Sequence, residues 1–198
     1  REHVIVMDYF HYTYKHNHID FSSHIYKVST YHYNWHRGVE ILVLLKGRID
    51  MSCNSEVFTM EPLDSIIMSP QVGHATLALE EDTTALVIHI SKEFFQHFDL
   101  NFGMYQFVLR SDASNRNNPF FTSLRNHAAQ MMLLMVNGKS PDYQLWLEHH
   151  YLALTSAIYR EIDAVKSIPV HIKPADMTVA TFDKMIAYID ENYQQKIE

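Results

Sequence analysis

Three residues in the first half of the chain carry side chains that could share one polar site: His36, Glu40 and His74. Two imidazoles and one carboxylate are a ligand set for non-haem Fe(II), and they also suit zinc or manganese. The same groups could instead hydrogen-bond to each other or to an organic ligand, because a buried polar group without a partner costs about 1–3 kcal/mol. Both interpretations require the three side chains to face one interior.

The spacing of His36 and Glu40 allows them to meet. An Arg37-Gly38 turn separates a strand that ends at His36 from one that begins near Glu40, and neighbouring strands of a hairpin can face the same interior. Side chains alternate along a strand, which adds further residues to the inner face. These are Asn34 and His32 beside His36, and Leu42 and Leu44 beside Glu40.

Histidine and tyrosine are concentrated near the N-terminus, where seven of the 14 histidines fall within the first 36 residues. Aromatic faces flanked by polar groups bind sugars and similar polyols. Alternation lets at most half of such a run face inward, and histidine has an intermediate preference for burial, so most of these rings are expected at the surface or rim. The candidate ligand-binding residues are His36, Glu40, His74, Asn34, His32, Tyr31 and Tyr33.

A series of short β-rich runs, broken by turn residues, extends from Ile19 to about Ser91. No long helical segment separates these runs, which favours an antiparallel barrel or sandwich over a parallel α/β fold. His89 lies in the last run and is expected to be a satisfied core or rim histidine. The predicted strands cover residues 23–33, 39–46, 48–53, 56–60, 65–69, 75–79 and 85–90.

Two amphipathic helices are predicted after the β-rich region. Apolar residues recur at three- and four-residue intervals from Phe120 to Met135, and Asn137-Gly138 would end that helix. Ser140 as N-cap and Pro141 at the first helical position would open the second helix. Its near-heptad stripe predicts a dimer interface, with packing between the two helices of one chain as the alternative. The stripe consists of Leu147, Tyr151, Leu154, Ile158 and Ile162.

The composition excludes several functional classes. The formal charge of −7 has the wrong sign for a surface that must neutralise many phosphates, so these 198 residues are not expected to bind DNA specifically. A single cysteine, Cys53, excludes an internal disulfide and favours a reducing, cytoplasmic compartment. The five glycines are too far apart for a dinucleotide or phosphate-binding loop. No apolar run approaches the roughly 20 residues of a membrane helix.

Three motifs, in this order, resemble a known family. His36-x3-Glu40-x6-Gly47, the segment 60–64 (Met-Glu-Pro-Leu-Asp) and Pro70-x3-His74 resemble the two motifs of the cupin barrel. In particular, they resemble the form that these motifs take in the N-terminal sensing domains of AraC-type transcription regulators. Residues 86–95 resemble the strand and short helix that follow in this family, and residues 182–193 resemble the first helix of its C-terminal DNA-binding domain.

The resemblance implies a mainly β protein with α-helices. Residues 1–115 would form a cupin-like antiparallel β-barrel of jelly-roll type, residues 116–166 a helical dimerisation region, residues 167–177 a linker, and residues 178–198 the first helix of a truncated helix-turn-helix domain. It further implies a cytoplasmic homodimer that senses a small effector, for example a sugar, and contacts DNA only through the C-terminal domain. Catalytic residues, a cofactor, a bound metal and a membrane partner are not expected.

Two positions depart from the cupin motifs. A metal-binding cupin is expected to have histidine at the position of Asn34 and glycine at the position of Leu63. The loss of one histidine favours hydrogen bonding to an organic ligand, because an amide is a poor ligand for a transition metal. The alternative function is a metal-dependent cupin enzyme, an isomerase or dioxygenase, that uses His36, Glu40 and His74.

Overall fold

Ten strands, three α-helices and one 3₁₀ turn (Phe102–Met104) follow one another in the computed structural model, which describes residues 8–28, 32–138 and 140–165. These residues belong to one compact unit. The strands are β1 (Asp8–His16), β2 (Ile19–Lys27), β3 (His32–Asn34), β4 (Val39–Lys46), β5 (Ile49–Cys53), β6 (Glu56–Met60), β7 (Ser65–Met68), β8 (His74–Ala78), β9 (Thr84–Ile90) and β10 (Val108–Arg110). The α-helices are α1 (Lys92–Gln96), α2 (Pro119–Asn137) and α3 (Tyr143–Val165).

The strands form two antiparallel sheets. One sheet has the order β1-β2-β9-β4-β7-β10, and the other has the order β3-β8-β5-β6. Strands β2 to β9 are therefore divided between the sheets as β2-β9-β4-β7 and β3-β8-β5-β6, which is the strand order of a jelly roll, the double-sheet arrangement that cupins share. The predicted cupin-like antiparallel barrel is confirmed, and so are the two long helices that follow it.

The interior between the two sheets is apolar. Leu42 and Leu44 of β4 are buried there, on the same side of the strand as Glu40, which confirms the alternation predicted from the sequence. A polar group held in this interior must find its partners inside it, because burial without a partner is costly. The remaining buried residues of this interior cluster are Val28, Ile49, Met51, Cys53, Met60, Ile66, Met68, Val72, Ala85 and Val87.

The helices pack in one cluster with the other face of the six-stranded sheet. Ile41 and Val43 of β4 belong to this cluster together with the apolar stripe of α3. An intrachain core stripe and a coiled-coil seam share nearly the same spacing, which is why the sequence alone left both possibilities open. The dimerisation residues are therefore corrected to core residues of the single chain, each at most 2% exposed: Leu147, Tyr151, Leu154, Ile158 and Ile162. The homodimer itself stays a prediction.

Apart from shifts of one residue at several strand ends, three features of the elements differ from the prediction. Strand β1 was not predicted, because its inner face is made of Phe10, Tyr12 and Tyr14, and tyrosine gives a weaker hydrophobic signal than aliphatic residues do. The strand predicted over residues 23–33 is divided between β2 and β3, which lie in different sheets. Helix α3 begins at Tyr143 and not at Pro141, and the Ser140 hydroxyl donates to the Asp142 carboxylate.

Two turn positions of the cupin motifs have a left-handed backbone. Gly47 has φ +78°, and a Cβ at this position would lie 2.9 Å from the Cα of Thr83. Leu63, where the motif expects glycine, has φ +73°. Backbone hydrogen bonds hold this turn, since the Leu63 amide donates to the Leu44 carbonyl at 2.8 Å and the Asp64 amide donates to the Glu61 carbonyl at 2.9 Å. The turn geometry of the motif is thus retained with leucine in place of glycine.

Parts of the predicted organisation lie outside the described residues: Tyr31, the linker at residues 167–177 and the helix predicted within residues 178–198. The proposed domain boundaries therefore stay predictions. Among the α-helices of the described ranges, none combines the length and the apolar character that a membrane crossing requires.

Candidate functional site

Glu40 lies in the barrel interior at the end where β4 begins, and it is only 4% exposed. Gly38 allows the chain to enter β4 close to β9, because a side chain at Gly38 would collide with the carbonyl oxygen of Ile90. The register of β4 with its neighbours then sets Glu40 opposite His89 in β9 and opposite Met68 in β7. The backbone thus fixes a carboxylate among apolar side chains.

Three imidazoles surround the Glu40 carboxylate. Its Oε2 lies 2.9 Å from His89 Nε2 and 3.4 Å from His36 Nε2, and its Oε1 lies 3.2 Å from His74 Nε2. His36 comes from the turn before β4, His74 from the start of β8 in the other sheet, and His89 from β9. The structure therefore brings His36, Glu40 and His74 together as the sequence predicted, with their ligand atoms within 4.8 Å of one another.

Backbone carbonyls orient two of these rings. His36 Nδ1 donates to the Gly38 carbonyl at 2.7 Å, and His74 Nδ1 donates to the Val72 carbonyl at 3.3 Å, since a carbonyl oxygen can only accept. The Nε2 atoms of both rings are buried and have no hydrogen-bond partner of suitable geometry. In a neutral ring that donates through Nδ1, Nε2 carries a lone pair. Each Nε2 atom can therefore accept from a ligand, take a second proton or bind a metal.

Burial and the mutual contacts set the charge state of the site. Burial would raise the pKa of the Glu40 carboxyl, but the His74 and His89 rings outweigh burial and hold that pKa well below its ordinary value. Burial would lower the pKa of His74, but Glu40 outweighs it and raises the pKa of this ring. At His36 burial prevails and lowers the pKa. Compared with free side chains, the site favours the ionised form of Glu40, the protonated form of His74 and the neutral form of His36.

Strand β3 contributes one more predicted residue to the inner side. The backbone register pairs Asn34 with His74 and His32 with Thr76. Residues directly opposite each other in an antiparallel pair share a face, so Asn34 lies on the side of the sheet that His74 occupies. Asn34 is half-buried there, as the alternation of the strand predicted.

The predicted role of Tyr33 in ligand binding is corrected. Tyr33 is 64% exposed, and its hydroxyl lies over Gly73. The reason is alternation: Asn34 faces inward, so its neighbour in the strand faces outward. Tyr31 lies outside the described residues.

His89 is the member of the site that sequence reasoning missed. It was expected to be a satisfied core or rim histidine, and its side chain, 37% exposed, does lie at the rim, where Glu40 satisfies its Nε2. The pairing of Glu40 with His89 depends on the register of β4 against β9. Register between strands so distant in sequence is not readable from a single chain.

Among the described rings of β1 and β2, His24 connects to the site through His89. His11 of β1 stacks on His24 of β2 with ring centroids 4.2 Å apart, and the His24 ring lies edge-on to His89 at 5.8 Å. Tyr12 and Tyr14 of β1 face the helices, where the Tyr12 hydroxyl lies 2.6 Å from that of Tyr143. They therefore do not form an aromatic floor for a ligand in the barrel.

Cys53 lies near the site, opposite His74 in the register of β5 and β8. Burial raises the pKa of its thiol, and the charges of Glu40 and Glu56 raise it further. A thiol that is held protonated is a poor nucleophile. The side chain therefore contributes to the wall of the barrel rather than to chemistry.

A divalent transition metal fits the donor set. Ligands about 2.1 Å from a tetrahedral ion lie about 3.4 Å apart, close to the separations of Glu40 from the His36 and His74 nitrogens. Both nitrogens are buried and unpartnered, with their rings held through Nδ1 as in many metal sites. His89 offers a fourth donor from a different strand than the one that carries Asn34.

No protein-family model and no curated protein sequence matches the chain. Among solved structures, it is similar to a variant of oxalate decarboxylase from Bacillus subtilis (16% identity, TM-score 0.33), with 36% of this chain and only 21% of the decarboxylase chain covered. It is also similar to KdgF from Halomonas sp. (14% identity, TM-score 0.34), with 40% of this chain and 76% of the KdgF chain covered. A third similar structure is the cupin domain of Cnp3 from Schizosaccharomyces pombe (11% identity, TM-score 0.37), with 44% of this chain and 68% of the Cnp3 chain covered.

Proposed function

We propose that this chain is the effector-sensing region of an AraC-type transcription regulator, and that a small organic molecule, for example a sugar, binds beside Glu40 in the barrel. The motifs around His36, Glu40 and His74 and the resemblance of residues 182–193 to a DNA-binding helix support the regulator class. The jelly-roll order supports the barrel as the sensing unit.

One observation carries the binding site: an ionised carboxylate and unpartnered imidazole nitrogens lie together at one end of an apolar interior. Binding sites for small molecules combine apolar walls with a few fixed polar groups in this way. Glu40 accepts hydrogen bonds from hydroxyls, His74 donates when it is protonated, and neutral His36 accepts through Nε2. His89, partly exposed, lies on the side from which a ligand would enter.

Strand β4 connects the site to the helices. Glu40 faces the interior, while the next residue, Ile41, packs on the other face in the cluster that contains α2 and α3. A ligand that draws Glu40 and His89 together would shift β4 and β9 and with them the surface on which the helices pack. Such a ligand acts only if it binds one of two helix arrangements better than the other.

Dimerisation and DNA binding belong to the same proposal. With the stripe of α3 buried inside the chain, a partner would contact the apolar residues that the helices leave exposed: Leu133, Val136, Leu145 and Leu152. DNA would be bound only by the C-terminal domain that residues 178–198 begin. Sedimentation of residues 1–198 tests the dimer, and a gel shift with these residues, for which no specific binding is expected, tests the second point.

The experiment for the effector is a thermal-shift panel of sugars and related polyols on chelator-treated protein. A compound that binds only the native state raises the melting temperature. Loss of the shift in Glu40→Gln, with the circular dichroism spectrum unchanged, would locate the ligand in the barrel.

A metal-dependent cupin enzyme is the second candidate, because the buried Nε2 atoms of His36 and His74 have no hydrogen-bond partner. Glu40 would hold the metal with these two rings, and the metal would supply a Lewis acid or redox centre when bound. Elemental analysis decides this point. About one transition metal per chain, lost in His74→Ala together with chelator-sensitive thermal stability, would favour the enzyme over the organic-ligand sensor.

A further inference from the structure

A second group of histidines lies far from Glu40 in sequence, between the two long helices. His127 of α2 and His150 of α3 face each other with their Nδ1 atoms 3.0 Å apart. Their ring centroids are 5.3 Å apart, and the ring of His149 lies 5.1 Å from that of His150. The rings of His127 and His150 are half-buried, whereas His149 is exposed.

The environment of His127 and His150 favours the neutral form of both rings, which can donate an electron pair to a metal. Burial lowers the pKa of His127, and the nearby charge of His149 lowers it further. Burial also lowers the pKa of His150, with His127 and His149 acting in the same direction. Neutral imidazoles keep a lone pair on one nitrogen, and neutral imidazole is the form that binds transition metals.

In the metal-free protein the two Nδ1 atoms can share one proton, with one ring donating and the other accepting. If both rings place their proton on Nε2, both Nδ1 atoms have a lone pair available for one ion. Nitrogens 3.0 Å apart suit two adjacent ligands that lie at about 90° around one ion, as in octahedral coordination, when the metal–nitrogen bonds are about 2.0–2.1 Å long. A pair on two different helices is thus arranged as a bidentate chelate.

We propose that His127 and His150 form a transition-metal site between α2 and α3, which takes Zn²⁺, Ni²⁺ or Cu²⁺ with water in the remaining positions. The bound metal would link the two helices that lie on the six-stranded sheet. This site is independent of the barrel site and of the proposed regulator function.

A tryptophan next to this pair provides the readout. The ring of Trp146 stacks on His150 with centroids 6.2 Å apart, and its Nε1 donates to the Asp142 carboxylate at 2.8 Å. The chain has two tryptophans, and the other, Trp35, is the neighbour of His36 in sequence. In a Trp35→Phe background, fluorescence therefore reports on the helix site alone. A paramagnetic ion such as Ni²⁺ quenches an indole that lies this close.

The experiment titrates NiCl₂ and, separately, ZnCl₂ into the chelator-treated Trp35→Phe chain. We expect Ni²⁺ to quench Trp146 with a stoichiometry of one ion per chain. A hundredfold excess of Zn²⁺ over its dissociation constant should raise the melting temperature by about 5–10 °C. His127→Ala and His150→Ala should each abolish the quenching, because a chelate needs both rings. His127→Gln repeats the test if the alanine variant is poorly folded.

Two matched controls identify the site. His74→Ala removes a barrel ligand, and His97→Ala removes a surface histidine that stacks on His18 at 4.4 Å. In both variants, Ni²⁺ should quench the fluorescence of Trp146 as strongly as it does in the parent. Quenching that survives in His127→Ala or His127→Gln, or no quenching in the parent chain, would overturn the proposal and leave the pair as an interhelical hydrogen bond.

Discussion

Glu40 Oε2 accepts a hydrogen bond from His89 Nε2 at 2.9 Å, although the two residues are 49 positions apart in the chain. The contact exists because β4 and β9 are neighbours in the six-stranded sheet. The same carboxylate contacts His74 of the four-stranded sheet at 3.2 Å. One buried side chain therefore connects both sheets of the barrel at the end where β4 and β8 begin.

The titration of His74 measures how strongly Glu40 acts on it. In metal-free protein, the pKa of His74 should lie above its ordinary value, because Glu40 outweighs the effect of burial. Glu40→Gln removes the charge and leaves the burial, so the pKa should fall below the ordinary value. Two-dimensional NMR of the ring protons reports both values. A pKa that does not change in the variant would show that the contact contributes no electrostatic stabilisation.

The same contact makes stability depend on pH. A ring whose pKa is higher in the folded state stabilises the fold below its unfolded pKa of 6.5, and this contribution is lost as the pH rises through the folded pKa. The difference in unfolding free energy between the parent and Glu40→Gln should therefore be larger at about pH 6 than at about pH 9. Urea denaturation at both pH values measures it. A difference that grows toward alkaline pH would contradict the assignment.

The stripe of α3 is predicted to stabilise the single chain. Leu154 is fully buried in the core between helices and sheet, so Leu154→Ala should lower the free energy of unfolding by about 2–5 kcal/mol at any protein concentration. Leu100, which is 87% exposed and lies outside the surface proposed for a partner, is the matched control, for which Leu100→Ala should change stability by about 0.5 kcal/mol or less. Urea denaturation compares the two. Equal changes in unfolding free energy for the two variants would contradict the intrachain role of the stripe and favour a contact between two chains.

Glycine at position 47 is predicted to stabilise the fold for two reasons: its positive φ and the close approach of Thr83. Gly47 and Gly138 have nearly equal φ values, +78° and +84°, but only at Gly47 would a Cβ collide with Thr83. Gly138→Ala should cost about 1–3 kcal/mol from backbone strain alone, because φ +84° with ψ −169° is a combination that is essentially confined to glycine. Gly47→Ala should cost about 1–3 kcal/mol more, because the segment around Thr83 must move to make room for the added Cβ. Equal losses of unfolding free energy in the two variants would mean that the backbone at Thr83, just before β9, moves aside without an energetic cost.

Much of the barrel was predictable because its signals are local. Turn residues bound β4 and β6 at the residues observed, and alternation along β4 placed Leu42 and Leu44 inside. The predicted polar cluster of His36, Glu40 and His74 also forms, since turn chemistry and alternation direct these side chains inward.

The rest depended on long-range pairing. His89 joins the site only through the register of β4 with β9, and the α3 stripe is buried only because the helices pack on the sheet. Tyr33 faces outward because β3 is a strand of its own, paired with β8. A single sequence specifies periodicity, but which surface covers an apolar stripe is decided by the assembled fold.

Calorimetric titration of chelator-treated protein with the sugar or polyol that gives the largest thermal shift tests the central claim most directly, with Glu40→Gln as the matched variant. We predict binding of one molecule per chain without added metal, and its loss in a Glu40→Gln variant that keeps its fold. Binding that needs a stoichiometric divalent metal, or that is equally strong in Glu40→Gln, would contradict an organic effector bound at Glu40.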